Sequence, residues 1–288
     1  MIPAQFEYHA PTSVPEALRL LASLPDAKLL AGGHSLLPMM KLRLVSPPHV
    51  IDLGRIQGLR EIRDTGSVLT IGALTTHWMI ESSPVVKSKV LVLAEAASRI
   101  GDIQVRNLGT IGGSLAHSDP AADYPAAALA LECELIAESP KGRRTIRAGD
   151  FFTGIFSTAL RPDEILVEVR VPVPPPRTGS VYLKFAHPAS GFAVVGVAAV
   201  VTLDGRGVCQ QAKVGITGVG PTGYRARTTE ALLAGKTLTD ETIEAAAQRA
   251  DEGVDANQDL FATAEYRLHL ARVYTKRAIK AAKERVKT

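Results

Sequence analysis

Twice in its N-terminal half this chain breaks an apolar, β-like run with a pair of glycines and then a small hydroxyl residue. The two stretches are Ala31-Gly32-Gly33-His34-Ser35 and Thr110-Ile111-Gly112-Gly113-Ser114. Glycine lets the backbone take positive φ and approach a ligand with no Cβ in the way. Successive N–H groups at such a place can converge as a nest for phosphate oxygens, with Ser and Thr hydroxyls as further donors. An ordinary tight turn uses glycine as well, so from residues alone each loop is either a turn or half of a cradle for a shared diphosphate.

The standard nucleotide motifs do not account for these loops. No G-x-x-x-x-G-K-[ST] occurs. A literal G-x-G-x-x-G stands at Gly218-Val219-Gly220-Pro221-Thr222-Gly223, with Asp240 and Glu241 downstream. A dinucleotide fingerprint must open a helix inside a strand–helix–strand unit, whereas Pro221 and Gly223 interrupt the start and helical sequence follows. We expect a turn at a strand end there. His117-Ser118-Asp119 holds the three residue types of a triad, but adjacent residues cannot converge as a relay. The seven histidines show no H-x-x-x-H spacing, and Cys133 and Cys209 are too few for an iron–sulfur cluster or a CxxC zinc site. We therefore expect no metal ligand. Asp119 and Asp123 read either as helix caps or as carboxylates for a ribose or ribityl hydroxyl.

Along the chain, Ser13 and Glu16 form an S-x-x-E capping box before an apolar stripe from Ala17 to Leu21. Strands are expected at Lys28–Ala31, Val50–Leu53, Val68–Ile71 and Ile165–Val173, and helices at Val90–Ile100 and Pro125–Leu131. Pro172, Pro174, Pro175 and Pro176 then resist both helix and ladder pairing and mark a boundary. Beyond it come strand-like Val181–Phe185, Ala193–Leu203 and Val208–Ile216. Helical Arg227–Leu233, Asp240–Asp251 and Ala262–Val286 follow, an α+β order. The basic end, Lys276 to Lys287, reads as a solvated helix face.

Composition narrows the class. With 33 Lys and Arg against 29 Asp and Glu in 288 residues, the net charge of +4 gives no nucleic-acid-binding signature. The longest apolar run, Phe192 to Val201, falls short of the ~20 residues needed for a bilayer span. The start Met1-Ile2-Pro3-Ala4-Gln5 has no signal-peptide character. A cytoplasmic address is expected, extending to a peripheral position at the inner membrane face.

These residues resemble a family. Phe6-x-Tyr8-x-x-Pro11, Leu30-Ala31-Gly32-Gly33-His34-Ser35-Leu36, Asp102 through Gly113, and Asp119-Pro120-Ala121-Ala122-Asp123 are similar to the flavin-binding medium subunits of molybdenum hydroxylases. Glu164-Ile165-Leu166 and Lys184 extend the match over essentially the whole chain. The AGGHS form leans towards the aerobic carbon monoxide dehydrogenase branch. Two departures stand out: Ser114-Leu115-Ala116-His117-Ser118 replaces an asparagine-led run, and Gly191-Phe192 stands where a tyrosine commonly shields the flavin ring.

The resemblance implies an α+β fold. A vanillyl-alcohol-oxidase (PCMH)-type FAD-binding domain of two subdomains (about 1–54 and 55–176) would precede a C-terminal domain (177–288). That second domain would hold a three-stranded antiparallel sheet and a helical bundle. Ala31, Gly32, Gly33, His34 and Ser35, with Thr110, Ile111, Gly112, Gly113 and Ser114, would hold the FAD diphosphate. Ile100 and Leu166 would line the adenine and ribityl path, and Asp123 would take a cofactor hydroxyl. Lys184 and Phe192 would lie at the flavin ring. Molybdenum-pterin and two [2Fe–2S] clusters would sit on a large and a small partner subunit, in a dimer of heterotrimers. Electrons would cross FAD to an external acceptor such as a quinone. The bound flavin would carry the chemistry, so the resemblance further implies no catalytic acid–base residue. The rivals are an N-heterocycle, xanthine or aldehyde dehydrogenase subunit, a stand-alone FAD oxidase, and a non-catalytic module whose glycine loops are turns.

Overall fold

Three short segments, β1 (Glu7–His9), β2 (Lys28–Leu30) and β3 (His49–Asp52), form a parallel sheet in the order β1-β3-β2. The coordinates are a computed structural model in which the structure describes residues 1–286. Parallel neighbours need crossovers, and the helices Val14–Ser23 and Leu36–Lys41 supply them. The Ser13 hydroxyl accepts the Glu16 N–H, while the Glu16 carboxylate accepts the Thr12 N–H, so the capping box closes one residue early. Ala17 and Leu18 bury with Ile51 and Leu53 behind this sheet.

The middle of the chain adds β4 (Ile62–Asp64), β5 (Val68–Gly72), β6 (Glu134–Ser139) and β7 (Gly142–Arg147). A small hairpin, β8 (Phe152–Gly154) and β9 (Ser157–Thr158), precedes β10 (Ile165–Pro172). The antiparallel order is β4-β5-β10-β6-β7, which puts β10 at the centre, and its residues are buried almost throughout. A strand covered on both faces loses strict alternation, and Ile165-Leu166-Val167 is buried at each position.

The C-terminal part is an antiparallel sheet of three long strands, β11 (Thr178–Ala186), β12 (Ala193–Leu203) and β13 (Cys209–Thr217), with a two-residue edge strand β14 (Tyr224–Arg225). The long apolar run falls on β12, where both faces are covered. Ala198 and Val200 join a cluster with Ala126 to Ala130 of the fully buried helix Tyr124–Ala130, while Val197, Ala199 and Val201 join the bundle of helices on the other face. That bundle comprises Arg227–Leu233, Asp240–Ala247 and Ala264–Glu284. Contact is close on both sides. A Cβ on Gly215 would lie 2.1 Å from the Ala126 carbonyl oxygen, and one on Gly179 would lie 2.0 Å from that of Ala282. The expected α+β architecture is present.

Two details of the C-terminal part bear on expectation. The G-x-G-x-x-G stretch is a turn from β13 into β14, with Gly218 at φ +85, as expected. The basic end needs correction, because its cations are engaged rather than simply solvated. Lys276 pairs with Glu244, Lys280 with Asp240 at 2.8 Å and Arg285 with Glu95 at 2.7 Å, while Lys283 donates to the Leu238 carbonyl. The cause is that helix Ala264–Glu284 lies across the sheet beside the acidic start of helix Asp240–Ala247. Lys287 lies outside the described residues. Among the described residues, no helix is long and apolar enough to cross a membrane.

Candidate functional site

The two glycine loops meet. A Cβ on Gly32 would lie 2.2 Å from the Leu108 carbonyl oxygen and 2.7 Å from Gly109 Cα, so only glycine permits this approach of backbone to backbone. Gly112 does the same against Ala73, whose Cβ would be 2.5 Å away. One glycine of each pair therefore serves packing between loops and strands. All four glycines line a cavity of about 540 Å³, a size typical of small-molecule sites, and Gly33 makes its turn there at φ +76.

The loops differ in what they offer a ligand. In the second loop the Ile111, Gly112 and Ser114 N–H groups donate to the carbonyls of Thr75, Ala73 and Thr110, and the Gly113 N–H donates to Thr110 Oγ1. In the first loop the N–H groups of Gly32, Gly33, His34 and Ser35 meet no protein acceptor among the described residues, and the Ser35 hydroxyl caps nothing. The symmetric pair of nests read from sequence is thus divided. Loop 31–35 presents free donors, while loop 110–114 presents a side-chain hydroxyl at Ser114.

The remaining expected residues mostly converge on the same space. Ala31, His34, Thr110, Ile100, Leu166, Asp123 and Phe192 all line the cavity. Phe192, 48% exposed on the loop before β12, is at the rim and not in the core. Two expected residues are placed elsewhere. Ile111 is 1% exposed, its side chain packed in the central core with Leu115 and Tyr124, because successive helical residues point in different directions. Lys184 does not reach the wall: its ammonium donates to Asp123 Oδ2 at 2.9 Å and to the Arg99 carbonyl at 2.9 Å.

Asp123 is consequently no helix cap. It stands at the start of helix Tyr124–Ala130 without capping it, and its Oδ1 accepts the Tyr182 hydroxyl at 2.5 Å. Burial pushes its carboxyl up, opposed by the Lys184 ammonium and the Tyr182 hydroxyl. Asp119 does the local work instead, accepting the Ala121 N–H.

His77, which the sequence did not single out, also lines the cavity, as does His117. His77 is buried against Gly109 and shares a 3.1 Å hydrogen bond with the Tyr124 hydroxyl. Burial, followed by the nearby His34 and Arg106, holds it down at about 3, so it is neutral near pH 7. His117 stacks on Phe156 with ring centroids 4.9 Å apart. Phe156, which also lines the wall, takes a left-handed φ of +52 that nothing in its neighbours announces. Both cysteines are buried and free, and burial pushes Cys133 up to about 12 and Cys209 to about 11. They are inert thiols.

Residues 4–174 match the family described as the FAD binding domain in molybdopterin dehydrogenase, and residues 180–282 match the CO dehydrogenase flavoprotein C-terminal domain. The chain is 46% identical over 283 residues to the carbon monoxide dehydrogenase medium chain of Hydrogenophaga pseudoflava, covering 98% of each. It is 38% identical to the 6-hydroxypseudooxynicotine dehydrogenase complex subunit alpha of Paenarthrobacter nicotinovorans, covering 100% of this chain and 97% of that one. A solved structure of the Hydrogenophaga carbon monoxide dehydrogenase, lacking the Mo-pyranopterin moiety of its molybdenum cofactor, superimposes with a TM-score of 0.97. It is 47% identical, with all of both chains covered.

Proposed function

The chain belongs to the FAD-binding subunits of the molybdenum hydroxylases, of the carbon monoxide dehydrogenase flavoprotein type, and on that premise we propose how it holds its cofactor and what it serves. It is an oxidoreductase subunit that binds FAD; in this family molybdenum and iron–sulfur centres sit on partner subunits. The observation that carries the site is the 31–35 loop. Four backbone N–H groups and the Ser35 hydroxyl stand uncommitted beside the cavity, on a turn that Gly33 makes at φ +76.

The residues fit the cofactor. The free N–H groups of Gly32 to Ser35 bind the diphosphate oxygens, and the Ser114 hydroxyl adds a donor from the opposite loop. Asp123, already accepting from Tyr182 and Lys184, keeps lone pairs for a cofactor hydroxyl, and its two partners hold it in place. Ile100 and Leu166 exclude water from the path between the cofactor's ends. Phe192 covers the ring with an apolar face and has no hydroxyl. Bound there, FAD supplies the redox chemistry that links the partner clusters to an external acceptor, a quinone in our reading.

Partner docking has support close to the loops. Helices His77–Ser82 and Ile103–Leu108 pack on each other and leave Trp78, Ile103 and Leu108 exposed, and it is Leu108 that touches Gly32. We assign these apolar side chains to a face for the small iron–sulfur subunit, within a cytoplasmic dimer of heterotrimers. Carbon monoxide is the substrate we favour for the assembly, on the likeness to a carbon monoxide dehydrogenase medium chain. The alternative is an N-heterocycle-type substrate, which the Paenarthrobacter relative supports. We divide the chain at the proline cluster into 1–176, which binds most of the flavin, and 177–288, which braces it and supplies Phe192.

The test is anaerobic. The isolated chain is expected to be yellow with about one FAD per chain, and its flavin is expected to stay oxidised with carbon monoxide, aldehydes or N-heterocycles. Bleaching is expected only after the large and small subunits are added. Bleaching by a substrate without partners overturns this reading in favour of a stand-alone oxidase.

A further inference from the structure

At the far N-terminus, away from the cavity, three ligand-type side chains are gathered by two paired strands. Side chains two apart on a strand share a face, so Glu7 and His9 of β1 lie on one side. The parallel register pairs Glu7 with His49 of β3. His49 Nδ1 lies 3.4 Å from Glu7 Oε2 and 3.4 Å from His9 Nε2, and His9 Nε2 lies 3.9 Å from the same carboxylate oxygen. All three exceed the usual hydrogen-bond range of about 2.7–3.2 Å. They suit a shared cation better. The point equidistant from all three donor atoms lies about 2.1 Å from each, within the Zn–N and Zn–O range of about 2.0–2.2 Å.

We propose that Glu7, His9 and His49 form a binding site for a divalent transition-metal cation such as zinc, stapling β1 to β3. Two imidazoles and one carboxylate are a borderline-soft donor set suited to zinc, copper or nickel rather than to calcium or magnesium. Three protein ligands leave a fourth position for water. Access is open on the carboxylate side, where the Glu7 side chain is 73% exposed, while both histidines are largely sheltered. The consequence is mechanical. β1 is a three-residue edge strand held in its sheet by β3 alone, so a cation across the pair ties the chain's N-terminus to the sheet that carries the 31–35 loop. The site stood outside the expectation of no metal ligands because forty residues separate His9 from His49. None of the three residues lines the cavity, so the proposal does not rest on the flavin assignment.

The experiment uses the full chain, treated with chelator and dialysed, and titrated calorimetrically with zinc chloride. Expected is one zinc per chain and a rise in thermal midpoint on addition. His9→Gln, His49→Gln and Glu7→Gln are each expected to weaken binding at least about tenfold with flavin absorbance and far-UV circular dichroism unchanged. Cobalt(II) is expected to give visible ligand-field bands in the parent chain and lose them in His9→Gln. Because His9 and Glu7 sit on an edge strand, these two variants carry the test even where His49→Gln fails to fold. No zinc uptake, or uptake equal in His9→Gln and Glu7→Gln to that of the parent, overturns the proposal. The three side chains then form only a loose polar cluster.

Discussion

Gly32 touches Leu108 backbone to backbone, so closely that any side chain at Gly32 would overlap the Leu108 carbonyl oxygen. Through this contact the two glycine loops become one wall. The open nest at 31–35 keeps its position because the hydrogen-bonded 109–114 segment supports it from behind. The same contact links the cavity wall to the exposed apolar side chains beside it.

The glycines of each pair therefore predict different failures. Gly33→Val places a branched residue at φ +76, costing of the order of 1–2 kcal/mol, and its Cβ would lie 2.8 Å from the Leu37 side chain, so the loop that carries the free N–H groups must shift. Gly113→Val meets its own cap at Thr110 Oγ1 and fills the cavity side. Flavin content per chain, read from the visible spectrum, is expected to fall sharply in both, with the fold retained. Gly32→Ala is expected to lower thermal stability and flavin content together. Full occupancy in the first two variants would count against the diphosphate site.

Asp123 and Lys184 form a buried pair, each side chain under 5% exposed. Removing one partner strands the other's charge or its hydrogen bonds, so Lys184→Met and Asp123→Asn are each expected to destabilise by about 3–5 kcal/mol. The double variant is expected to recover part of that loss. Chemical denaturation of the four proteins checks the coupling. Strict additivity would show that the pair is not coupled.

Phe192 is exposed at the cavity rim and absent from every core cluster. Phe192→Ala is expected to leave stability within about 0.5 kcal/mol of the parent, as surface changes do. FAD is expected to remain bound with a shifted visible spectrum and a changed reoxidation rate in oxygen. An unchanged spectrum and rate would remove Phe192 from the ring.

His77 sets a pH limit on stability. Burial holds it at about 3 in the folded chain against an ordinary 6.5, so the unfolded chain binds the extra proton between those values. Its stabilising contribution is therefore complete above pH 6.5 and is lost as the pH falls towards 3, at about 1.4 kcal/mol per pH unit. Denaturation curves from pH 7 downwards are expected to be less steeply pH-dependent in His77→Gln. Equal slopes would indicate that His77 titrates normally.

The sequence by itself determined the local grammar of this protein. Alternation and apolar runs marked the long strands, and the prolines after Val171 stopped β10 where β11 had not yet begun. The glycine pairs located the loops, and Pro221 with Gly223 ruled out a helix after Gly218. These are near-neighbour effects, carried by φ, ψ and side-chain period, and they survive without knowledge of the rest of the chain.

Only the tertiary structure decided how equivalent residues divide their work. Gly32 and Gly112 let backbone meet backbone, because Leu108 and Ala73 arrive from elsewhere in the chain, whereas Gly33 serves a turn at φ +76 and Gly113 lies against the Thr110 hydroxyl. Asp123 abandons the cap for Tyr182 and Lys184, some sixty residues away, since burial leaves a carboxylate no water to bind. Ile111 shares a motif with Gly112 yet points into the core, and Lys184 reaches Asp123 rather than open space. The Glu7, His9 and His49 cluster exists only through the β1–β3 register. Hydrogen bonds and ligand geometry depend on distances through space, and those are set by which strands pair and which helices cover them.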